Sequence, residues 1–176
     1  MFTLFVFIVS LILLLRRFKS RRSRIIIGML YSLFLVWYVQ AILNYGKYTL
    51  QPGQSVQLRV SPNTNQVEFS SELILDKKDS GKLKLTGLSF WTEIGKREHY
   101  DVEETEIYET VFIDGKIEHK KLPNSNNNSM YIGENGFIVQ YKGGKRFNVT
   151  SGEKYTITIT NIDNKPAHFE AQVVDR

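Results

Sequence analysis

No cysteine occurs in the 176 residues, which excludes disulfides, thiolate metal centres and a cysteine nucleophile. The compartment stays open, because a domain of about 130 residues can bury enough apolar surface to hold together without cross-links. Acid is missing from one end: residues 1–44 contain six Lys or Arg and no Asp or Glu. Histidine is scarce, with one each at 99, 119 and 168, and none lies in a recognisable catalytic setting. The stretch Gly87-Leu88-Ser89-Phe90-Trp91 lacks the closing glycine of a nucleophile elbow. Beyond Tyr45 there is neither an amphipathic helical pattern of useful length nor an internal repeat.

These gaps change the meaning of the overall charge. The formal net charge is +5, yet six of the 23 basic residues fall in residues 1–44, leaving 17 against 18 acids and a formal −1 for the remainder. The high isoelectric point therefore reports membrane topology, and a nucleic-acid partner is not expected.

All six early charges, Arg16, Arg17, Lys19, Arg21, Arg22 and Arg24, lie between two apolar runs, residues 1–15 and 25–44. A basic loop (16–24) between lipid-soluble arms predicts a transmembrane helical hairpin over residues 1–44. Twenty helical residues rise about 30 Å, the thickness of the hydrocarbon core, so the second arm spans. Fifteen residues rise about 22 Å and span only where the bilayer thins. Trp37, Tyr38, Tyr45 and Tyr48 gather at the far end, as rings do at a headgroup layer. A secretory signal has its charges before the apolar run, the reverse of the order here. The positive-inside rule keeps the loop cytoplasmic and places residues 45–176 outside the cell membrane. Gly28 and Ser32 form a small-xxx-small pair suited to close helix packing.

From residue 45 onward, alternation of apolar and polar residues replaces the continuous apolar runs, and turn residues recur at short intervals, a β signature. Strands are expected at 48–50, 55–60, 67–75, 100–113 and 155–160, with Pro52-Gly53 in a type II turn. Hairpin turns are expected at Asp114-Gly115, Asn135-Gly136 and Gly143-Gly144. Residues 123–129 read as a solvated loop. Leu83 and Leu85 have the opposite parity to Leu88 and Phe90, which predicts a bulge at Gly87 and leaves either Phe90 or Trp91 facing outward. About ten strands with compact turns predict an all-β sandwich, jelly-roll or immunoglobulin-like.

Three candidate chemistries follow. Trp91, Tyr100 and Tyr108, with Tyr131 and Tyr141, offer rings for stacking on a sugar or a partner protein. Seven potential metal ligands crowd residues 98–109, but strand alternation divides them between two faces, and the glycine and spacing of a calcium loop are missing. They read better as a solvated acidic edge, and no metal or cofactor is expected. Sequons at Asn127 and Asn148 match the glycosylation pattern.

The expected function is a membrane-anchored, non-enzymatic interaction module. Its setting would be an accessory subunit of a cell-envelope, secretion or transport complex, or a surface immunity or exclusion factor, with a bacterial flavour to its Lys, Ile and Asn content. A cytoplasmic turn of nine residues holds no domain, so signals would pass through a membrane protein partner or a homo-oligomer in the lipid. Two alternatives are an envelope carbohydrate-binding module and a metal-dependent enzyme using residues 98–109.

Overall fold

The computed structural model describes residues 2–62, 64 and 70–176. Two compact units divide at position 45/46.

The first unit has two helices, α1 (Phe2–Arg17) and α2 (Arg21–Leu43). Continuous apolar sequence, free of proline and acid, lets both run unbroken. The break between them is residues 18–20, shorter than the nine-residue loop expected from charge. Arg16 and Arg17 complete the last turn of α1, and Arg21, Arg22 and Arg24 open α2, leaving only Lys19 in the connection. Because the long aliphatic stems of Arg and Lys are good helix formers, the charge block extends the helices and does not interrupt them. Among the described residues, α2 alone forms a helix long and apolar enough to cross a membrane. The helices meet through Phe7, whose ring lies 4.7 Å from Tyr31 and 5.2 Å from Phe34, and through a 2.8 Å hydrogen bond between Ser10 and the Tyr31 hydroxyl.

The second unit is antiparallel β structure in two sheets. Its strands are β1 (Lys47–Leu50), β2 (Ser55–Val60), β3 (Ser71–Lys77), β4 (Leu83–Thr86), β5 (Phe90–Glu93), β6 (Glu98–Asp101), β7 (Glu106–Ile113), β8 (Lys116–Leu122), β9 (Met130–Gly133), β10 (Gly136–Val139), β11 (Gly143–Asn148), β12 (Tyr155–Asn161) and β13 (Ala167–Asp175). The larger sheet has the order β1-β13-β3-β11-β5-β6-β7-β8 and the smaller β2-β12-β4-β10-β9. Inward residues of both sheets make one core, including Leu73, Leu75, Leu83, Leu85, Phe137, Phe147, Ile157 and Ile159, all fully buried.

Several turns depart from the expected hairpins. Asp114 and Gly115 both have positive φ (51° and 77°) and close β7 onto β8 as their sequence predicts. At Asn135-Gly136 the turn sits one residue earlier: Gly133 pairs with Gly136, and Asn135 takes φ 54°. Gly136 belongs in the strand because a Cβ there would meet the Leu85 carbonyl at 3.0 Å. Gly143-Gly144 makes no hairpin, since β10 and β11 lie in different sheets and Gly143 opens the strand paired with β3. The expected strand 100–113 is two strands joined by a turn at residues 102–105, where Thr105 has φ 57°. Of the strand expected at 67–75, residues 67–69 lie outside the described residues.

The parity change at Gly87 comes from a crossing between sheets. Leu83 and Leu85 face the core from the smaller sheet, the chain passes over at Gly87 (φ 100°), and Trp91 faces the core from the larger. A Cβ at Gly87 would stand 2.1 Å from the Thr156 carbonyl oxygen, so only glycine fits this close approach.

Candidate functional site: the β5–β8 extension

Four consecutive strands, β5 to β8, carry the larger sheet outward from β11. Antiparallel register fixes which side chains share a face: Trp91 lies opposite Tyr100, which lies opposite Ile107 and then Leu122. That row points inward. Trp91 is fully buried, stacked on Phe137 at 5.3 Å and edge-on to Phe147 at 6.1 Å, with its indole N–H donating to the Leu88 carbonyl at 3.0 Å.

Tyr100 packs 4.8 Å from Phe137 and donates its hydroxyl to Glu98 at 2.8 Å. Burial first, then that hydrogen bond and the Glu98 charge, push its phenol far above the usual tyrosine range. Tyr131 and Tyr141 are also buried, and Tyr141 donates to the Leu75 carbonyl at 3.2 Å. Trp91 and Tyr100, candidates for stacking on a ligand, are therefore core side chains. Aromatic residues on a strand follow the pleat, and theirs is the inward one.

The next register row faces the other way. Thr92, His99, Tyr108 and Lys121 lie side by side across β5 to β8, flanked by Phe90 and His119. Their rings form a ladder: Phe90 to His99 at 5.6 Å, His99 to Tyr108 at 5.1 Å, and Tyr108 to His119 at 5.1 Å. Thr92 Oγ1 lies 2.9 Å from His99 Nδ1, fixing that ring. Burial, with a smaller contribution from the charge of His119, holds the His99 imidazole below its ordinary pKa. Phe90 and His99 are stacked at 21°, His99 and Tyr108 are tilted at 30°, and Tyr108 and His119 meet edge-on at 75°. Of the stacking candidates only Tyr108 belongs to this ladder. Phe90, His99 and His119 were findable from sequence only once Trp91 was known to point inward.

The far end of β7 and β8 is the least covered part of the domain. All residues from Lys116 to Lys121 are exposed, on both faces of the hairpin. Around the Asp114-Gly115 turn Phe112 is 65 % exposed, Ile113 48 % and Ile117 61 %, with Phe112 directly opposite Ile117.

The acidic segment is divided by the turn at residues 102–105, which holds Glu103 and Glu104, and not by alternation along one strand. Glu98 accepts from Tyr100, Asp101 accepts from the backbone N–H groups of Glu103 and Glu104 at 3.1 Å, Glu103 accepts from Ser89, and Glu106 pairs with Lys121. Among the described residues no group of three or more acidic or histidine side chains converges as a metal site would require.

A second polar cluster has no sequence signature. Lys77 is only 1 % exposed and donates to the Gly81 carbonyl. Burial lowers its pKa to about 8 against the opposing pull of Asp79 and Asp163. Those carboxylates tie down the neighbouring loops: Asp79 accepts from the N–H of Gly81 at 2.8 Å and of His168 at 3.2 Å, and Asp163 from that of Lys82 at 3.2 Å. Buried Asn161 completes the network by donating to the carbonyls of Leu50 and Lys165. Every partner is internal, so the cluster staples the fold.

In the helical unit, a Cβ at Gly28 would meet nothing within 4 Å, and Ser32 lines an open depression with Met29, Leu33 and Val36. The small-residue pair therefore lies off the α1 contact made by Phe7, Ser10, Tyr31 and Phe34. Comparison of the chain with protein-family models, with curated proteins and with solved structures finds no match.

Proposed function

We propose that the chain is a membrane-anchored, non-enzymatic interaction module that displays the β5–β8 extension outside the cell membrane, as an accessory subunit of a larger envelope assembly. α2, with 23 residues and a rise of about 34 Å, crosses the bilayer. α1, with 16 residues and about 24 Å, inserts beside it as the other arm of a hairpin. Arg16, Arg17, Lys19, Arg21, Arg22 and Arg24 hold the bend on the cytoplasmic side, which leaves the β domain outside. That domain is a jelly-roll. Setting aside the insertion β5–β9, the chain changes sheet at every strand except from β4 to β10, which are neighbours in the smaller sheet, and the two remaining four-stranded orders, β1-β13-β3-β11 and β2-β12-β4-β10, nest in a double Greek key.

The observation that carries this function is the uncovered β7–β8 end. Phe112, Ile113 and Ile117 remain about half or more exposed where they stand, and full burial of each would contribute about 2 kcal/mol to an interface. Strands inserted into a complete sandwich, ending in exposed apolar residues, are an appended recognition element. The test is affinity purification of the full chain from membranes in mild detergent, comparing wild type with Phe112→Ser/Ile117→Ser. The double variant should keep its melting temperature and lose a defined partner. An unchanged set of co-purifying chains would remove the assignment.

A further inference from the structure

This inference rests on the proposed display of the β5–β8 extension and names what it meets. We propose that the partner is a second copy of this chain, joined edge to edge through β8, antiparallel, with the two-fold axis passing at His119. β8 ends the larger sheet, so among the described residues no strand lies beside one row of its backbone groups. The two-residue turn makes Ile113 and Lys116 a closing pair. The Thr110 N–H is committed to Arg97 on the other side at 2.9 Å, so Thr110 and His119 are not a hydrogen-bonded pair. By alternation the N–H and C=O groups of Ile117, His119 and Lys121 point to the free edge.

Antiparallel strands pair outward-pointing residues with outward-pointing residues, which places the axis of a symmetric pairing at a residue. His119 is the midpoint of Lys116–Leu122, so an axis there overlaps the whole strand. Moving it one residue sets Glu118 against Glu118 or Lys120 against Lys120. Moving it two leaves less than half of the strand paired.

In the His119 register Glu118 faces Lys120 of the second copy, and the reciprocal pair repeats it. Ile117 lies along the aliphatic stem of Lys121 of the second copy, and Lys116 lies opposite Leu122 of the second copy. Opposed charges at directly facing positions stabilise such a pairing. About six backbone hydrogen bonds would form across the edge. Three lysines discourage indiscriminate strand addition, and Glu118 supplies the acid that makes this one register complementary. The Phe112–Ile117 pair then continues onto the copy's edge.

The absence of native cysteine gives a direct test in the full chain, reconstituted in lipid nanodiscs. Facing residues at a hydrogen-bonded antiparallel position have Cα atoms about 5.5 Å apart, inside the span a disulfide accepts. His119→Cys should give a covalent dimer under mild oxidation, and Lys96→Cys, in an exposed turn, should not. Adding Glu118→Lys should cut the dimer yield about tenfold by placing lysines opposite each other, and Glu118→Lys/Lys120→Glu should restore it. All these side chains are exposed, so an unchanged circular dichroism spectrum verifies folding. Equal yields with and without Glu118→Lys, or a His119→Cys adduct to a different chain, would overturn self-pairing. A monomeric His119→Cys protein whose Phe112→Ser/Ile117→Ser counterpart still loses another partner would also overturn it, leaving the display function standing.

Discussion

Phe90 and Trp91 are adjacent on one strand, and the structure assigns them opposite consequences. Truncating Trp91 to Ala removes a fully buried indole from between Phe137 and Phe147 and leaves the Leu88 carbonyl without its donor. Burial and cavity effects for a residue of this size cost about 3–5 kcal/mol, and the lost hydrogen bond adds about 1. Phe90 is 39 % exposed and touches only His99 and Tyr108 among aromatic rings, so Phe90→Ala should cost about 1 kcal/mol.

In a domain of this size 1 kcal/mol corresponds to about 4 °C, so the expected losses in melting temperature are about 20 °C and about 4 °C. Circular dichroism of the full chain in detergent, followed through thermal and urea unfolding, separates them. Similar losses for the two variants, or a larger one for Phe90→Ala, would refute the assignment of faces from which the outer ladder was built. The same arithmetic means that Trp91→Ala tests folding, and that a glycan-binding test belongs at Tyr108.

Gly87→Ala should be among the most damaging single-methyl changes, costing about 3 kcal/mol or more, because the new Cβ meets the Thr156 carbonyl oxygen at 2.1 Å in a positive-φ conformation. Gly53→Ala, at φ 77° with nothing within 4 Å, should cost only about 1 kcal/mol in urea unfolding. Lys77 makes stability rise with pH. Its folded pKa of about 8 lies below the unfolded value of 10.5, so between those values the unfolded chain binds more protons. Urea unfolding should therefore show a gain of about 1 kcal/mol from pH 8 to 9, before the tyrosines with raised pKa, whose unfolded value is 10.0, begin to oppose it. Lys77→Met should flatten that slope; a slope that persists would assign it to another group.

Much of the fold could be read from alternation. Val60, Leu73, Leu75, Ile157 and Ile159 face the core as their spacing requires, and Asp114-Gly115 turns where its residue types say it must. What alternation cannot encode is which sheet a strand joins. Gly87 looked like a bulge and Gly143-Gly144 like a hairpin because crossings between sheets use the same glycines as turns within one. The candidate site was half legible for the same reason. Tyr108 could be named, but Phe90, His99 and His119 share its face only through the registers of β5 to β8, which depend on the turn at residues 102–105. Lys77 gave no signal, since its burial follows from the two loops that close over it.

The membrane sidedness of the β domain is the claim on which the function depends, and the absence of native cysteine again permits a clean measurement. Asp114→Cys sits at the tip of the β7–β8 hairpin and Lys19→Cys in the break between α1 and α2. With a membrane-impermeant maleimide on intact cells, the Asp114→Cys chain should label fully, and the Lys19→Cys chain only after the membrane is opened. Protection of Asp114→Cys in intact cells, with labelling after lysis, would contradict the account.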